Sequence, residues 1–258
     1  MHWHGSATRV KMCHVASEGK AMTEFSLDRR QMLGAAVTAA ALAPAMAGAQ
    51  SVVVGSAPAA PASIYNPVPL PFDPKTIIGM SEKLILSHHG NNYTGTVKRL
   101  GSVIGELGKL DLTKAPGFMV NGLKREELIA QNSMVFHEIY FSCIGAPNQP
   151  SRPLASAIER DFGSFAKWAL EFSAMGKALA GGSGWVVLNW MERDKKLING
   201  WANDHTMALV GGTPVMVMDM FEHAYAIDYG SKAAAYVDAF MATINWAAAD
   251  KRFVKASA

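Results

Sequence analysis

Between residues 81 and 110, Leu84, Ile85, Leu100, Val103, Ile104 and Leu107 recur every three or four positions, and His88 falls on the same face. That period predicts a helix with one buried stripe, opened by Ser81, whose hydroxyl can cap the first turn. Gly90 and Gly95 interrupt the pattern, where a bend or a close helix contact is expected. A polar stretch, residues 111–121, separates this helix from a second one starting at Arg125 and running to about Cys143. Met134, Phe136, Ile139, Tyr140 and Phe141 make that second helix apolar on most of its surface, so it belongs in the core, with His137 inside the apolar run. After a Gly- and Pro-rich linker (145–153), residues 154–162 and 164–180 read as helices. The glycines of 181–184 end them. Two apolar runs, 185–190 and 197–201, read as strands turned at 192–196, and 215–219 supplies a third. A closing helix over 233–248 packs Tyr236, Val237, Phe240, Ile244 and Trp246. The expected fold is α+β: an N-terminal helical hairpin domain (70–145), then a C-terminal α/β domain (146–258) with a small three-stranded antiparallel sheet.

The first part of the chain reads differently. Leu27-Asp28-Arg29-Arg30-Gln31-Met32-Leu33 is followed by an uncharged Ala-rich run, residues 34–47, and then by Ala47-Gly48-Ala49. Basic, apolar and small-residue segments in that order form an export signal, and the paired arginines point to the twin-arginine route, with cleavage near Gln50. The apolar run is about 14 residues, short of the roughly 20 that a spanning helix needs, so no stable membrane anchor is expected. Met22 would give an n-region of ordinary length, and His2, His4 and His14 are set aside as metal candidates with the leader. Residues 50–69, rich in Ala, Pro, Ser and Val, read as a flexible tether.

From residue 50 onward 19 Lys+Arg face 18 Asp+Glu, without a basic aromatic stripe, so no nucleic-acid partner is expected. Only Cys143 remains there, so no internal disulfide can form. Stability rests on a core that about 209 residues are enough to build. The chemistry lies in Asp219-Met220-Phe221-Glu222-His223-Ala224-Tyr225, at the end of the third strand. A buried carboxylate is costly unless something pairs with it, and a metal ion would take Asp219 and His223 together. His88 and His137, each inward on its own helix, can bring two more imidazoles to one point.

These features resemble the iron/manganese superoxide dismutase family over nearly all of the chain after residue 70. The signs come in the family's order: Leu70-Pro71-Phe72, His88-His89-Gly90, His137 with Tyr140 and Cys143, Phe162-Gly163-Ser164-Phe165, Gly182-Ser183-Gly184-Trp185, Asp219 to Tyr225, and Asn245-Trp246. The resemblance implies one iron or manganese ion per subunit, held by His88, His137, Asp219 and His223, with a position left for solvent. It implies dismutation of superoxide to dioxygen and hydrogen peroxide. It also implies a homodimer, with a tetramer left open, in which Glu222 reaches across to orient the partner's last imidazole. Tyr140 and Trp185 fall among the residues around the reaction centre.

The surroundings of the metal depart from the family. The channel Tyr, eight residues after the first ligand, is Thr96; the His four residues after it is Asn92; and the Tyr that pairs with that His across the dimer is Ala226. A glutamine bonding the metal's solvent is replaced by Ser133 at one of its usual positions and by Asp204 or His205 at the other. Phe221 stands where Trp is usual. One reading is an exported superoxide dismutase with a drifted channel. The other is a dismutase-fold metalloenzyme, a lyase or oxidase, whose widened pocket takes a larger organic substrate such as an aromatic compound. A metal-binding structural protein fits less well, since it needs no open coordination position.

Overall fold

The structure is a computed structural model that describes residues 65–258, so the leader and most of the tether lie outside the described residues. The chain runs through α1 (Glu82–Ser87), a π turn (His88–Tyr93), α2 (Thr94–Lys109), α3 (Gly117–Cys143), α4 (Arg152–Phe162) and α5 (Phe165–Ala178). The sheet follows, with β1 (Trp185–Met191), β2 (Lys196–Ala202) and β3 (Gly212–Asp219), and then the short α6 (Ala226–Tyr229), α7 (Ala233–Ala242) and α8 (Trp246–Ser257). A helical hairpin followed by a helix-wrapped sheet is the architecture expected. Among the described residues no helix is long and apolar enough to cross a membrane.

The sheet is antiparallel in the order β2-β1-β3. The central strand β1 is buried along nearly its whole length, consistent with its unbroken apolar run. Trp185, at its start, stands opposite both Ala202, the last residue of β2, and Asp219, the last residue of β3. One end of the sheet thus gathers the indole, the carboxylate and the turn that leaves β2. Gly184 makes this possible. Its φ is +143°, and a Cβ there would lie 2.2 Å from the Ala202 carbonyl oxygen, so only glycine allows the two strands to close at this end.

The interruption expected at Gly90 is a π turn, a local widening of the helix that often marks functional sites. Three other expectations need correction. Helix α3 begins at Gly117 rather than Arg125. The loop closes early on Asp111, whose carboxylate accepts from the Thr113 amide and hydroxyl, and Pro116 then caps the helix, its carbonyl accepting from Met119 N–H. The closing helix is two helices. At the break Asn245 donates its amide to the Cys143 carbonyl at 2.7 Å, and its side chain accepts from Ala247 N–H to cap α8. Finally, the end of the tether is pinned: Val68 N–H donates to Tyr93 Oη (2.7 Å), and the Val68 carbonyl lies 2.8 Å from His89 Nε2. Both partners lie in the π turn, so the arm braces the segment that carries His88.

Candidate metal centre

Each ligand candidate is placed by a different device. The π turn directs His88 inward, and the ring is completely buried between Tyr140 and Phe141, with centroids 5.0 and 4.9 Å away. His137 lies in the middle of α3, on its buried face. Its Nδ1–H donates to the Ser133 carbonyl one turn back, at 2.7 Å, which leaves Nε2 as a lone pair aimed away from the helix. Asp219 ends β3. Its Oδ1 accepts from Phe221 N–H (2.9 Å), and that bond turns Oδ2 towards the imidazoles. His223 follows in the single helical turn Glu222–Ala224, with its side chain 22 % exposed.

The four donors converge. Asp219 Oδ2 lies 3.1 Å from His88 Nε2, 3.1 Å from His223 Nε2 and 3.6 Å from His137 Nε2, and the two last imidazoles approach Nε2 to Nε2 at 3.4 Å. All four atoms lie within 4.8 Å of one another. Two donors each bonded to one ion at about 2.0–2.1 Å sit about 3.0–3.6 Å apart at ordinary bond angles, so the spacings suit a shared cation. The electrostatics suit one too. The His137 lone pair faces both a carboxylate oxygen and a third nitrogen, an arrangement that repels itself unless a positive charge sits between them. Burial lowers the pKa of His137 to about 3 and lowers that of His88 as well, so both rings are neutral, as ligands must be. Burial alone would push the Asp219 carboxyl up, but the His223 and His88 imidazoles hold it well below its ordinary value, ionised. His88 Nδ1 is the one buried side-chain polar atom without a hydrogen-bond partner among the described residues.

The chain belongs to the iron/manganese superoxide dismutase family. The family profile described as iron/manganese superoxide dismutases, C-terminal domain, matches residues 150–252. The chain is 55 % identical over 193 residues to a protein of Cupriavidus metallidurans named superoxide dismutase [Fe], covering 75 % of this chain and 98 % of that one. It is 32 % identical over 181 residues to the superoxide dismutase [Fe] of Methanothermobacter marburgensis, 67 % of this chain and 88 % of that one. A Halobacterium salinarum protein named superoxide dismutase [Mn] 1 is 28 % identical over 201 residues, 76 % of this chain and 98 % of the relative. The resemblance drawn from the motifs is borne out.

Over the donors opens a cleft of about 320 Å³, lined on one side by Asn92, Thr96 and Arg99 and on the other by His205, Phe221 and His223. Trp185 Nε1–H donates to His205 Nδ1 at 3.1 Å, so the proton of this neutral ring sits on Nε2. Phe221 is stacked between two imidazoles, 4.5 Å from His205 and 5.4 Å from His223, nearly parallel to both. Asn132 Nδ2–H donates to the His205 carbonyl at 2.8 Å and ties the turn after β2 to α3. Of the two candidates in that turn, His205 lines the cleft, whereas Asp204 is committed elsewhere: its Oδ1 accepts from the Thr206 amide and hydroxyl. Tyr140 lies behind His88 and away from the cleft, its hydroxyl accepting from Tyr236 Oη at 3.3 Å. Glu222 is exposed on the chain's surface.

Sequence reasoning passed over Arg99 and Asn132. Arg99 had a signal, since Asn92, Thr96 and Arg99 are spaced i, i+4, i+7 and so share one helical stripe. Asn132 had none, because its partner lies 73 residues away.

Proposed function

We propose that the protein is an exported, iron-dependent superoxide dismutase that works as a homodimer. The observation that carries the activity is the buried ring of three imidazoles and one carboxylate in a chain 55 % identical to a protein named superoxide dismutase [Fe]. That relative also favours iron over manganese. His88, His137, Asp219 and His223 would hold the iron, which would supply one-electron redox chemistry, the oxidation of one superoxide to dioxygen balancing the reduction of a second, with two protons, to hydrogen peroxide.

The residues of this chain set the conditions. Asp219 supplies the negative charge that offsets part of the ion's, and its bond to the Phe221 amide holds that charge in one place. The Ser133 carbonyl fixes the tautomer of His137. Trp185 does the same for His205, so that its Nε2–H is available to donate to solvent in the cleft, the role for which Ser133 is too short. On this reading His205, rather than Asp204, takes the place of the missing glutamine, a reading supported by its position in the cleft lining. Thr96 and Asn92 leave the cleft open and polar.

The dimer rests on two facts about one short turn. His223 is the most exposed of the four ligands, and its Nδ1 has no hydrogen-bond partner among the described residues, while the neighbouring Glu222 projects into solvent. Two copies related by a twofold axis would exchange Glu222 for the missing partner of each other's His223. Export rests on the basic, apolar and small segments of residues 27–49, which lie outside the described residues.

The test is superoxide dismutation by the chain loaded separately with iron and with manganese, each checked for full occupancy. A rate of roughly 10⁸–10⁹ M⁻¹s⁻¹ with iron is expected. A fully loaded protein without dismutation would favour the organic-substrate reading, whose support is the cleft, at about 320 Å³ within the roughly 300–1,000 Å³ of small-molecule pockets. Export is tested by N-terminal sequencing of the protein recovered from the periplasm of a host with and without the twin-arginine machinery.

A further inference from the structure

Apart from three imidazoles, the cleft walls are amide, hydroxyl and hydrocarbon, and Arg99 is the one permanently charged side chain among the described residues that line them. No Asp or Glu faces it from that lining. The guanidinium sits on α2, one turn outward from Thr96, and is half exposed, so it stands where the cleft meets solvent. It lines the same cleft as His205 and His223. The same guanidinium is paired with Glu126 on α3, and Glu126 in turn lies 4.0 Å from Arg125. Glu126 is therefore shared between two arginines and sits beside the cleft rather than in its lining.

We infer that Arg99 is an anion-capture residue at the cleft mouth and that Glu126 sets its strength by competing with the incoming anion for the guanidinium. A half-exposed cation at the rim of a polar cleft concentrates small anions over the buried donor ring that would hold the metal and raises their rate of arrival, an effect that salt screens. A guanidinium, unlike an ammonium, can hold a carboxylate and still present free N–H donors to a second anion. The ligand class is a small monovalent anion. The inference rests on the proposed function in naming superoxide as that anion, but the subsite can be tested without it.

The variants are Arg99→Gln, Arg99→Lys and Glu126→Gln in the metal-loaded full chain. Azide is the probe, titrated by the change in the metal's absorption, alongside kcat/KM for superoxide across ionic strength. Arg99→Gln is expected to weaken azide binding and lower kcat/KM by about three- to tenfold at low salt, and to flatten the salt dependence. Arg99→Lys should recover part of both losses. Glu126→Gln should move both quantities the other way, by about two- to threefold. An Arg99→Gln protein with wild-type azide affinity and salt slope overturns the inference. Equal losses in Arg99→Gln and Glu126→Gln also overturn it, because they would mean the pair acts only as a brace between α2 and α3. If the loaded wild type does not dismute superoxide, the proposed function falls, and the azide titrations still decide the role of Arg99.

Discussion

His137 and His223 belong to the same ring of donors yet are held in opposite ways. His137 is 1 % exposed, lies in the 27-residue helix α3, and has its outer nitrogen bonded to a carbonyl of its own helix. His223 is 22 % exposed, lies in a three-residue turn, and has no partner for its outer nitrogen among the described residues. His137 is completed within its own helix, and the C-terminal half of the ring stops at the surface. In the proposed dimer a second copy would orient the last imidazole, which would make assembly a condition of the site's final geometry.

The largest effect should come from the residue both halves share. Asp219→Ala removes the carboxylate that faces three imidazoles and also strips the Phe221 amide of its acceptor. Metal content should fall from one ion per chain to near none, a loss well beyond the roughly 10–100-fold that removing a supporting residue costs. Elemental analysis of the purified variant checks it. Stoichiometric metal in that variant would mean that the ring is not the site.

How much of this was legible beforehand differs between the ring and its wall. The four donors stood out because each broke a local pattern: His88 and His137 on apolar helical faces, and Asp219 with His223 at the end of an apolar strand. The wall depends on long-range hydrogen bonds that leave no local trace. Asp204 and His205 are neighbours of similar promise, and only the folded turn sends one carboxylate to Thr206 and the other side chain to Trp185. The same holds for the fold. Strand positions followed from the apolar runs, whereas the early start of α3 was hidden because Phe118 and Met119 are exposed and make no core stripe. The break before α8 was hidden inside an Ala-rich run, where a single Asn at 245 ends one helix and caps the next.

Acid should act on the buried half of the ring. In the metal-free protein burial holds His137 at about 3 and lowers His88, so both stay neutral in the fold. The unfolded chain takes up those protons near an ordinary pKa of about 6.5. Stability is therefore full above about pH 6.5 and declines as pH falls from there towards 3, by up to about 1.4 kcal/mol per pH unit for each ring. Asp219, held ionised by its imidazole neighbours, acts in the same direction below its unfolded value of about 3.9. Thermal unfolding of the metal-free protein between pH 8 and pH 4 checks this, and a flat profile would mean that the buried rings are protonated in the fold. Replacing His137 by Gln should remove part of the slope.

Glu222→Gln tests the exposed half. The substitution keeps the shape and removes the charge proposed to meet the partner's imidazole. The dimer should dissociate at higher protein concentration, and metal affinity or dismutation should fall by roughly 10–100-fold. Sedimentation at several concentrations, with metal content measured on the same samples, follows both. Unchanged assembly and unchanged activity would remove the proposed difference between the two halves, because His223 would then need no partner.

The smallest effect should come from the wall, through Trp185→Phe. Among the described residues the indole N–H to His205 Nδ1 is the hydrogen bond that fixes which nitrogen of that ring carries the proton. Without it the neutral ring can place its proton on either nitrogen, and the fraction with Nε2–H facing the cleft falls. One such hydrogen bond is worth about 0.5–1.5 kcal/mol, so dismutation should drop by about two- to tenfold. Metal content should stay near that of the wild type, because His137, against which the indole edge packs at 5.1 Å, keeps its bond to Ser133. The change also shrinks a buried side chain, so thermal stability will fall, and the activity is to be compared at a temperature where both proteins are fully folded. His205→Gln in the same background separates the two causes: a glutamine has no tautomer to lose, so Trp185→Phe should then cost little further activity. If it costs as much as in the wild type, the indole acts through packing, and the wall contributes shape rather than a directed proton.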